Sequence, residues 1–254
     1  KYGINKNSKQ FADDWRAEYQ PSMEKVRSGS REFVKLDILH DENLKNISKN
    51  YGLDTLSKED WDWLVKSWHR LPGWKDSSKG LLRLKSKFII ASQSNGNIEL
   101  ILNMSKNSKL YWDMILGSEV VGYYKPQPEA YLVACEKVGL NPNECMMVAA
   151  HNSDLSSARN VGLKTAFILR SNEHGIHYEG IEQWKKRKGI TGCIEKSTVF
   201  NGGSGISPWK FIRRCPIILS LLILLSTIFM YSKSLFLANA VNKTIFSSFR
   251  KSNL

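Results

Sequence analysis

The sequence predicts an α/β protein in which a small helical lobe precedes a three-layer, Rossmann-like core, with a parallel sheet between two layers of helices. Two observations predict this fold. Residues 71–184 alternate short apolar runs with helical patterns, which is typical of parallel strands joined by right-handed crossovers. Residues 9–70 are rich in Trp, Leu, Lys and Glu and contain no strand-like apolar run. A chain of 254 residues is long enough for one such domain with an accessory lobe.

Three apolar runs are predicted to be strands of this sheet. Phe88–Ala91 is continuously apolar, as expected of a strand that is buried on both faces, and Cys145–Ala150 and Thr165–Leu169 share that character. The segments beside them carry helical patterns over Ile98–Lys109, Pro128–Val138 and Leu155–Val161. In such sheets the functional site lies outside the carboxyl ends of the strands. Polar residues that directly follow a strand are therefore the first candidates for function.

The helical lobe is predicted to cover residues 1–70, and the α/β core residues 71–184. Apolar side chains recur at helical spacing from Phe11 to Val26, where Pro21 should bend or break the helix. Ser57 is followed by Glu59 and Asp60, a pattern typical of a helix start. The helix that begins there is expected to carry an apolar face of Trp61, Leu64, Val65 and Trp68.

The composition changes after Trp184. A charge run at residues 185–188 and a Gly-rich stretch at 201–205 predict a basic linker over residues 185–214. Cys215–Ser232 is an uncharged stretch of 18 residues, and we predict a transmembrane helix there, followed by a tail at 233–254. As a helix it would be about 27 Å long, against a hydrocarbon core of about 30 Å. The alternative is that this terminus reflects a splicing or reading-frame error.

Charge and cysteine usage narrow the class of protein. Of 37 Lys and Arg residues, twelve lie from Lys185 onward with a single acid, Glu195, so the first 184 residues carry 25 basic and 23 acidic side chains. The folded part is nearly balanced, and we expect no nucleic-acid partner. The four cysteines form no CxxC pair and indicate a reducing, cytoplasmic location. The apolar run at residues 215–232 would anchor the protein to a membrane from that side. The start at Lys1, without Met, is expected of a fragment or a processed product.

Two polar segments follow the predicted strands. Ser94-Asn95-Gly96 comes just after Phe88–Ala91 and offers a hydroxyl and turn amides to an anion, although Asn-Gly also marks plain turns. His151-Asn-Ser-Asp154 follows the second strand, and Asp154 is also expected to be the N-cap of a helix.

Two basic residues complete the candidate site. Lys125 is followed by Pro126 and Pro128, which fix the backbone, so that it either serves a carboxylate pair or is a solvated loop residue. Arg16, in the helical lobe, either reaches over the site to hold a carboxylate or is an ordinary surface arginine.

Taken together, these motifs resemble the haloacid dehalogenase superfamily, in which Ser94, Lys125 and Asp154 match the second, third and fourth motifs in order and spacing. Within that superfamily, the sequence over about residues 9–175 resembles the type II 2-haloacid dehalogenases. The segments that carry this likeness are Trp15–Pro21, Trp68-His-Arg-Leu71, Ser94–Asn97, Tyr124–Pro128, Met147–His151 and Gly162–Arg170.

The resemblance implies a chemistry. In that family an Asp at the end of the first strand attacks the halogen-bearing carbon of a 2-haloalkanoic acid, halide leaves, and water hydrolyses the resulting ester. It implies that Ser94, Lys125 and Asp154 are catalytic. It also implies that Arg16, Asn95, Tyr131 and His151 contact a small carboxylic acid substrate, beneath a cap formed by the lobe. No cofactor or metal is expected. The sequence leaves the oligomeric state open, with a homodimer as one alternative.

Two departures from the family pattern bear on activity. No Asp occurs before Asp13, so we expect the nucleophile and its strand to be absent from these 254 residues, which would leave them inactive and poorly stable. Where phosphatases of the superfamily have two acids four residues apart for Mg²⁺, this chain has Ala150 and Asp154. Ala149 and His151 replace the Ser and Asn that are common in the dehalogenases.

Three functions remain open on the sequence. The first is hydrolysis of carbon–halogen bonds in the full-length form. The second is a non-catalytic, membrane-tethered remnant, and the third is a metal-dependent phosphatase, which Ala150 disfavours.

Overall fold

The computed structural model of the chain describes residues 8–168, 170 and 193–194. Within these ranges the helices are α1 Ser8–Ala17, α2 Tyr19–Arg27, α3 Leu36–Ser48, α4 Lys58–Val65, α5 Ser77–Lys85, α6 Ile98–Ser108, α7 Ser118–Val121, α8 Pro128–Lys137 and α9 Asn152–Asn160. The strands are β1 Ala91–Ser94, β2 Met114–Gly117, β3 Met146–Ala149, β4 Lys164–Ile168 and β5 Cys193–Ile194. Short 3₁₀ helices cover Lys49–Tyr51, Lys66–Arg70 and Pro142–Glu144.

All of these strands pair in parallel, which confirms the α/β prediction. They form two sheets, β1–β2 and β3–β4–β5, where the sequence predicted one. Ala91 lies opposite Met114 in the first sheet, and Met146 lies opposite Lys164 in the second. β5 falls inside the segment that was predicted to be a linker, and it pairs with the end of β4.

The predicted strand Phe88–Ala91 was wrong in position, because the observed strand β1 starts at Ala91. The Ile90 carbonyl already accepts hydrogen bonds from the Asp113 and Met114 amides, and the Ile90 amide donates to the Asp113 carboxylate at 2.9 Å. Ladder pairing with β2 therefore begins one residue later. β1 is small and polar, yet each of its four residues is buried. Gln93 is stabilised there because its side-chain amide donates to the Ala130 carbonyl at 2.6 Å.

Most predicted helices are confirmed, with shifted ends. α9 begins at Asn152 with His151 at the N-cap position, so the prediction that Asp154 is an N-cap was wrong; it is the third residue of the helix. The break expected at Pro21 lies at Glu18, between α1 and α2. Pro21 has no N–H to bond the Ala17 carbonyl four residues back, so the first helix ends there and Pro21 falls in the first turn of the next.

The helix start at Ser57 is confirmed. The Ser57 hydroxyl accepts a hydrogen bond from the Asp60 amide at 3.1 Å, as in an N-cap. The helix ends at Val65, however, and Trp68 lies on the following 3₁₀ helix.

One apolar cluster is shared by the lobe and the α/β part. In the lobe, Trp15 and Trp68 meet edge to face at 5.2 Å, and the His40 ring stacks on Trp68 at 4.5 Å. Leu100, Ile101 and Met104 of α6 and the Tyr124 ring join the same cluster. The lobe is therefore packed onto the sheet side through α6, and the boundary at residue 70 remains a prediction.

The transmembrane helix predicted at 215–232 and the tail at 233–254 lie outside the described residues. Among the helices that are described, none has the length and apolar character needed to cross a membrane.

The close approach of two glycines at the end of the first sheet gives a stability prediction. A Cβ on Gly117 would lie 2.4 Å from the Gly96 carbonyl oxygen, although the Gly117 backbone itself has an ordinary φ of −73°. We expect Gly117→Ala to lower the free energy of unfolding by about 1–3 kcal/mol through steric displacement of the turn after β1.

Gly80→Ala is the matched control. Gly80 lies within α5, and nothing lies within 4 Å of the added Cβ. This change should stabilise the protein by about 0.5–1 kcal/mol because alanine is the better helix former. Urea unfolding of both variants measures the difference; equal stabilities would contradict the steric account.

Candidate active site

A cleft of about 420 Å³ lies where the polypeptide leaves the carboxyl ends of β1 and β3, beneath α1 and α2 of the lobe. This is the position that parallel α/β sheets use for ligands. All seven site residues predicted from the sequence line it: Arg16, Ser94, Asn95, Lys125, Tyr131, His151 and Asp154. The structure thus brings them together, whereas their chemical roles remain predictions.

The turn after β1 forms one wall of the cleft. Ser94 is the last residue of the strand rather than the first residue after it, and its hydroxyl oxygen accepts the Gly96 amide at 3.0 Å. The Ser118 hydroxyl donates to the Asn95 carbonyl at 2.8 Å, and the Ser118 amide donates to the Gly96 carbonyl at 3.0 Å. The turn is therefore fixed from both sides, and the Ser94 hydroxyl keeps its hydrogen available for a ligand.

Asn95 holds the main chain of Lys125. Its side-chain oxygen accepts the Lys125 amide at 2.7 Å, and its side-chain nitrogen contacts the Lys125 carbonyl at 3.4 Å. The peptide bond from Lys125 to Pro126 is cis. Asn95 thus connects the turn after β1 to the loop that carries the lysine.

Lys125 and Asp154 form a buried ion pair. The lysine ammonium donates to the Asp154 carboxylate at 2.7 Å, and each side chain is 9% exposed, so the alternative of a solvated loop lysine is wrong. The Tyr131 hydroxyl donates to the other carboxylate oxygen at 2.6 Å. Burial, and then the Asp154 charge, raise the pKa of Tyr131 far above its usual value, so the phenol stays protonated and remains a donor.

Arg16 lines the cleft from α1 of the lobe, and His151 lines it from the start of α9. The Arg16 guanidinium stands 4.0 Å over the Tyr19 ring, and burial lowers its pKa against a smaller raising effect of Tyr19. It is partly buried, unlike an ordinary surface arginine. His151 is half-buried at the start of α9.

Several cleft residues were not predicted from the sequence, chiefly Tyr19, Gln20, Glu24 and Arg27 of α2. The Arg27 guanidinium donates to the Glu24 carboxylate at 2.8 Å and contacts the Lys125 carbonyl at 3.4 Å. A signal for three of them existed, because Gln20, Glu24 and Arg27 follow one another at intervals of four and three residues, which places them on one helical face.

The donor set of the cleft also bears on metal binding. Across the described ranges, no three or more His, Cys, Asp and Glu side chains are grouped so that they would hold a metal ion. Asp154 already accepts two hydrogen bonds, from Lys125 and Tyr131.

The ion pair gives a second stability prediction. Asp154→Asn leaves the Lys125 ammonium buried without a counter-charge, and we expect a loss of about 3–5 kcal/mol. The control is Asp13→Asn, which breaks an exposed pair between Lys9 and Asp13 and should cost below about 1 kcal/mol. Urea unfolding at neutral pH measures both. Similar losses in the two variants would contradict the buried-pair interpretation.

Comparison with known proteins places this geometry in a family. The chain is 36% identical over 135 residues to (S)-2-haloacid dehalogenase 4A of Burkholderia cepacia, a match that covers 52% of this chain and 58% of that enzyme. The crystal structure of the defluorinating L-2-haloacid dehalogenase Rha0230 superposes with a TM-score of 0.64 at 50% identity, covering 66% of this chain and 70% of that one. A shorter match, 36% over 93 residues, is to a phosphoglycolate phosphatase of Aquifex aeolicus, covering 34% of this chain and 42% of that enzyme.

The chain spans between half and two thirds of the length of the curated dehalogenases that it matches. The sequence model of the haloacid dehalogenase-like hydrolases matches residues 3–162, which is more than half of the chain. Since this match includes the Ser94, Lys125 and Asp154 positions, the chain belongs to the haloacid dehalogenase-like hydrolase family.

Proposed function

We propose that this protein, in a full-length form that includes the strand with the nucleophilic aspartate, hydrolyses the carbon–halogen bond of short 2-haloalkanoic acids through an aspartyl ester. The observation that carries the proposal is the buried group of Lys125, Asp154 and Tyr131 beside the Ser94 turn. A carboxylate nucleophile needs a fixed cation beside it to stay ionised, and this group supplies one at the strand ends. The similarity to enzymes named (S)-2-haloacid dehalogenase supports the substrate class.

The cleft offers two anchors for a substrate carboxylate. The Ser94 hydroxyl has its hydrogen to donate, and the Arg16 guanidinium reaches the cleft from the lobe. A guanidinium matches the geometry of a carboxylate with two parallel hydrogen bonds. We propose that Ser94 and Arg16 hold the substrate carboxylate, that Asn95 fixes Lys125, and that His151 and Tyr131 line the pocket around the halogen-bearing carbon.

The proposed reaction has two steps. An aspartate oxygen forms a bond to the α-carbon while the carbon–halogen bond breaks, and the halide leaves with the bonding pair. A water oxygen then attacks the ester carbonyl carbon, and the acyl–oxygen bond breaks. This regenerates the aspartate and releases a 2-hydroxy acid and one proton. Attack opposite the leaving halide inverts the α-carbon, so an (S)-halo acid gives an (R)-hydroxy acid.

We propose that the nucleophilic aspartate belongs at the end of a strand between β1 and β3. These strands lie in separate sheets, yet Ser94 at the end of one and Asp154 beyond the other face the same cleft. Among the described residues, the carboxylates that line the cleft are Glu24 and Asp154. Glu24 is exposed and paired with Arg27, and Asp154 is held by Lys125 and Tyr131, so neither is placed to attack a substrate.

Phosphatase activity is the second candidate, favoured by the match to the phosphoglycolate phosphatase. Against it, Ala150 stands four residues before Asp154, so this segment offers one carboxylate where Mg²⁺ sites of this kind need more.

The activity prediction compares two proteins. Residues 1–254 alone should release no measurable halide from (S)-2-chloropropionate, chloroacetate or fluoroacetate. The same chain preceded by the N-terminal strand segment of the Burkholderia cepacia enzyme should release halide and form (R)-lactate from (S)-2-chloropropionate. Fluoroacetate is included because one similar enzyme is described as defluorinating.

Lys125→Ala in the active protein should lower kcat by about two orders of magnitude or more.

Three results would contradict this proposal. Halide release by residues 1–254 at the rate of the extended protein would mean that another group is the nucleophile. Mg²⁺-dependent release of phosphate from phosphoglycolate, without halide release, would favour the phosphatase. (S)-Lactate as the product would exclude a single in-line displacement.

A further inference from the structure

The segment Trp68-His69-Arg70-Leu71 does not line the cleft, yet it is tied closely to the helix that follows the Ser94 turn. Lys66 pairs with Glu99, Asn103 contacts the His69 ring at 2.9 Å, and the Asn107 side chain donates to the Arg70 carbonyl at 3.1 Å. Residues 99, 103 and 107 are spaced by four, so they share one face of α6. Residues 66–70 therefore lie as a strap along that face and join the lobe to the sheet side.

His69 links this strap to Asp37 in the first turn of α3. The His69 Nε2 atom lies 3.0 and 3.1 Å from the two carboxylate oxygens of Asp37, and the histidine is 3% exposed. The Asn103 side-chain nitrogen donates to the other ring nitrogen, Nδ1. With Nδ1 as acceptor, a neutral ring carries its proton on Nε2 and donates it to Asp37.

Asp37 in turn holds Asn97, the residue after the Ser94-Asn95-Gly96 turn. The Asn97 side-chain nitrogen donates to the Asp37 carboxylate at 2.9 Å, and the Asp37 amide contacts the Asn97 side-chain oxygen at 3.3 Å. Asn97 is 2% exposed and stands at the N-cap position of α6, but its side chain does not cap that helix. Its side chain forms hydrogen bonds with Asp37 of the lobe instead.

The carboxyl of Asp37 is held in its ionised form. Burial alone would raise its pKa, but the hydrogen bonds that His69 and Asn97 donate outweigh burial, and the pKa is lowered from its usual value. Both donors therefore meet a full negative charge, for which hydrogen bonds are strongest.

The neighbours of this pair form two walls of the cleft. Leu36, next to Asp37, lines the cleft from the lobe, and Gly96, next to Asn97, lines it from the turn after β1. The contact between Asp37 and Asn97 thus fixes the position of one wall relative to the other. A shift of either partner moves a cleft-lining residue directly.

We propose that His69 and Asp37 are positioning residues, which set the Ser94–Gly96 turn against the lobe through Asn97. The effect on substrate rests on the proposed function, in which that turn binds the substrate carboxylate; the effect on the turn does not.

The first test follows backbone amide exchange by NMR in residues 1–254. His69→Ala and Asp37→Asn should speed exchange of the Gly96 amide roughly tenfold, as expected for loss of a charge-assisted contact worth more than about 1 kcal/mol. The Val148 amide in β3 should be unaffected. His69→Gln keeps an N–H donor and should restore much of the protection if the wild-type role is donation to Asp37.

Asn107→Ala is the matched control, because it removes another strap contact on the same face of α6 that does not lead to Asp37. It should leave Gly96 exchange within about twofold of wild type. Uniform acceleration at Gly96 and Val148 in His69→Ala and Asp37→Asn would show a merely structural role and overturn the proposal. So would unchanged Gly96 exchange in both.

The second test measures the Kd of (S)-2-chloropropionate by calorimetry. Asp37→Asn and His69→Ala should weaken binding roughly fivefold, and Asn107→Ala should not. Equal affinity of wild type and Asp37→Asn would overturn the proposal. If wild type itself does not bind the acid, the substrate assignment fails, and the Gly96 exchange result alone decides the role of His69 and Asp37.

Discussion

The buried ion pair between Lys125 and Asp154 is the interaction on which the site depends, because it joins the two sheets. Lys125 follows β2 and Asp154 follows β3, and the ammonium and carboxylate meet at 2.7 Å with little exposure. Removing two charges from water is costly, and a single contact seldom offsets that cost. Here Tyr131 satisfies the second carboxylate oxygen and Asn95 fixes the lysine backbone, so the pair is supported by α8 and by the turn after β1.

The lobe is connected to this site by two kinds of contact. One is apolar: the tryptophan cluster of the lobe continues into α6. The other is polar: Arg27 contacts the Lys125 carbonyl, and the Tyr124 hydroxyl donates to the Val34 carbonyl at 2.7 Å. Apolar packing fixes distance but tolerates sliding, whereas hydrogen bonds fix direction. Together they position Arg16 and Leu36 over the strand ends.

How far the sequence predicts the fold depends on where each element obtains its stability. β3 was found because it is apolar throughout, and β4 because it is apolar from Ala166 to Ile168, as strands covered on both faces are. β1 was misplaced because its residues are Ala-Ser-Gln-Ser, and their burial depends on partners distant in sequence, such as the Ala130 carbonyl. Ser94, Lys125 and Asp154 were recognisable because together they resemble the second, third and fourth motifs of the family. The link from His69 through Asp37 to Asn97 was not, since these residues are 28 to 60 positions apart and carry no local pattern.

The polar composition of β1 has a consequence for behaviour before folding is complete. A strand with an apolar face pairs readily with any exposed strand edge, including one on another molecule. β1 presents two hydroxyls and an amide in four residues, so it gains little from such encounters. Its burial becomes favourable only when Ala130 offers its carbonyl and Asp113 pairs with Ile90. The strand at the centre of the site is thus protected from mispairing by the same side chains that make it dependent on the finished fold.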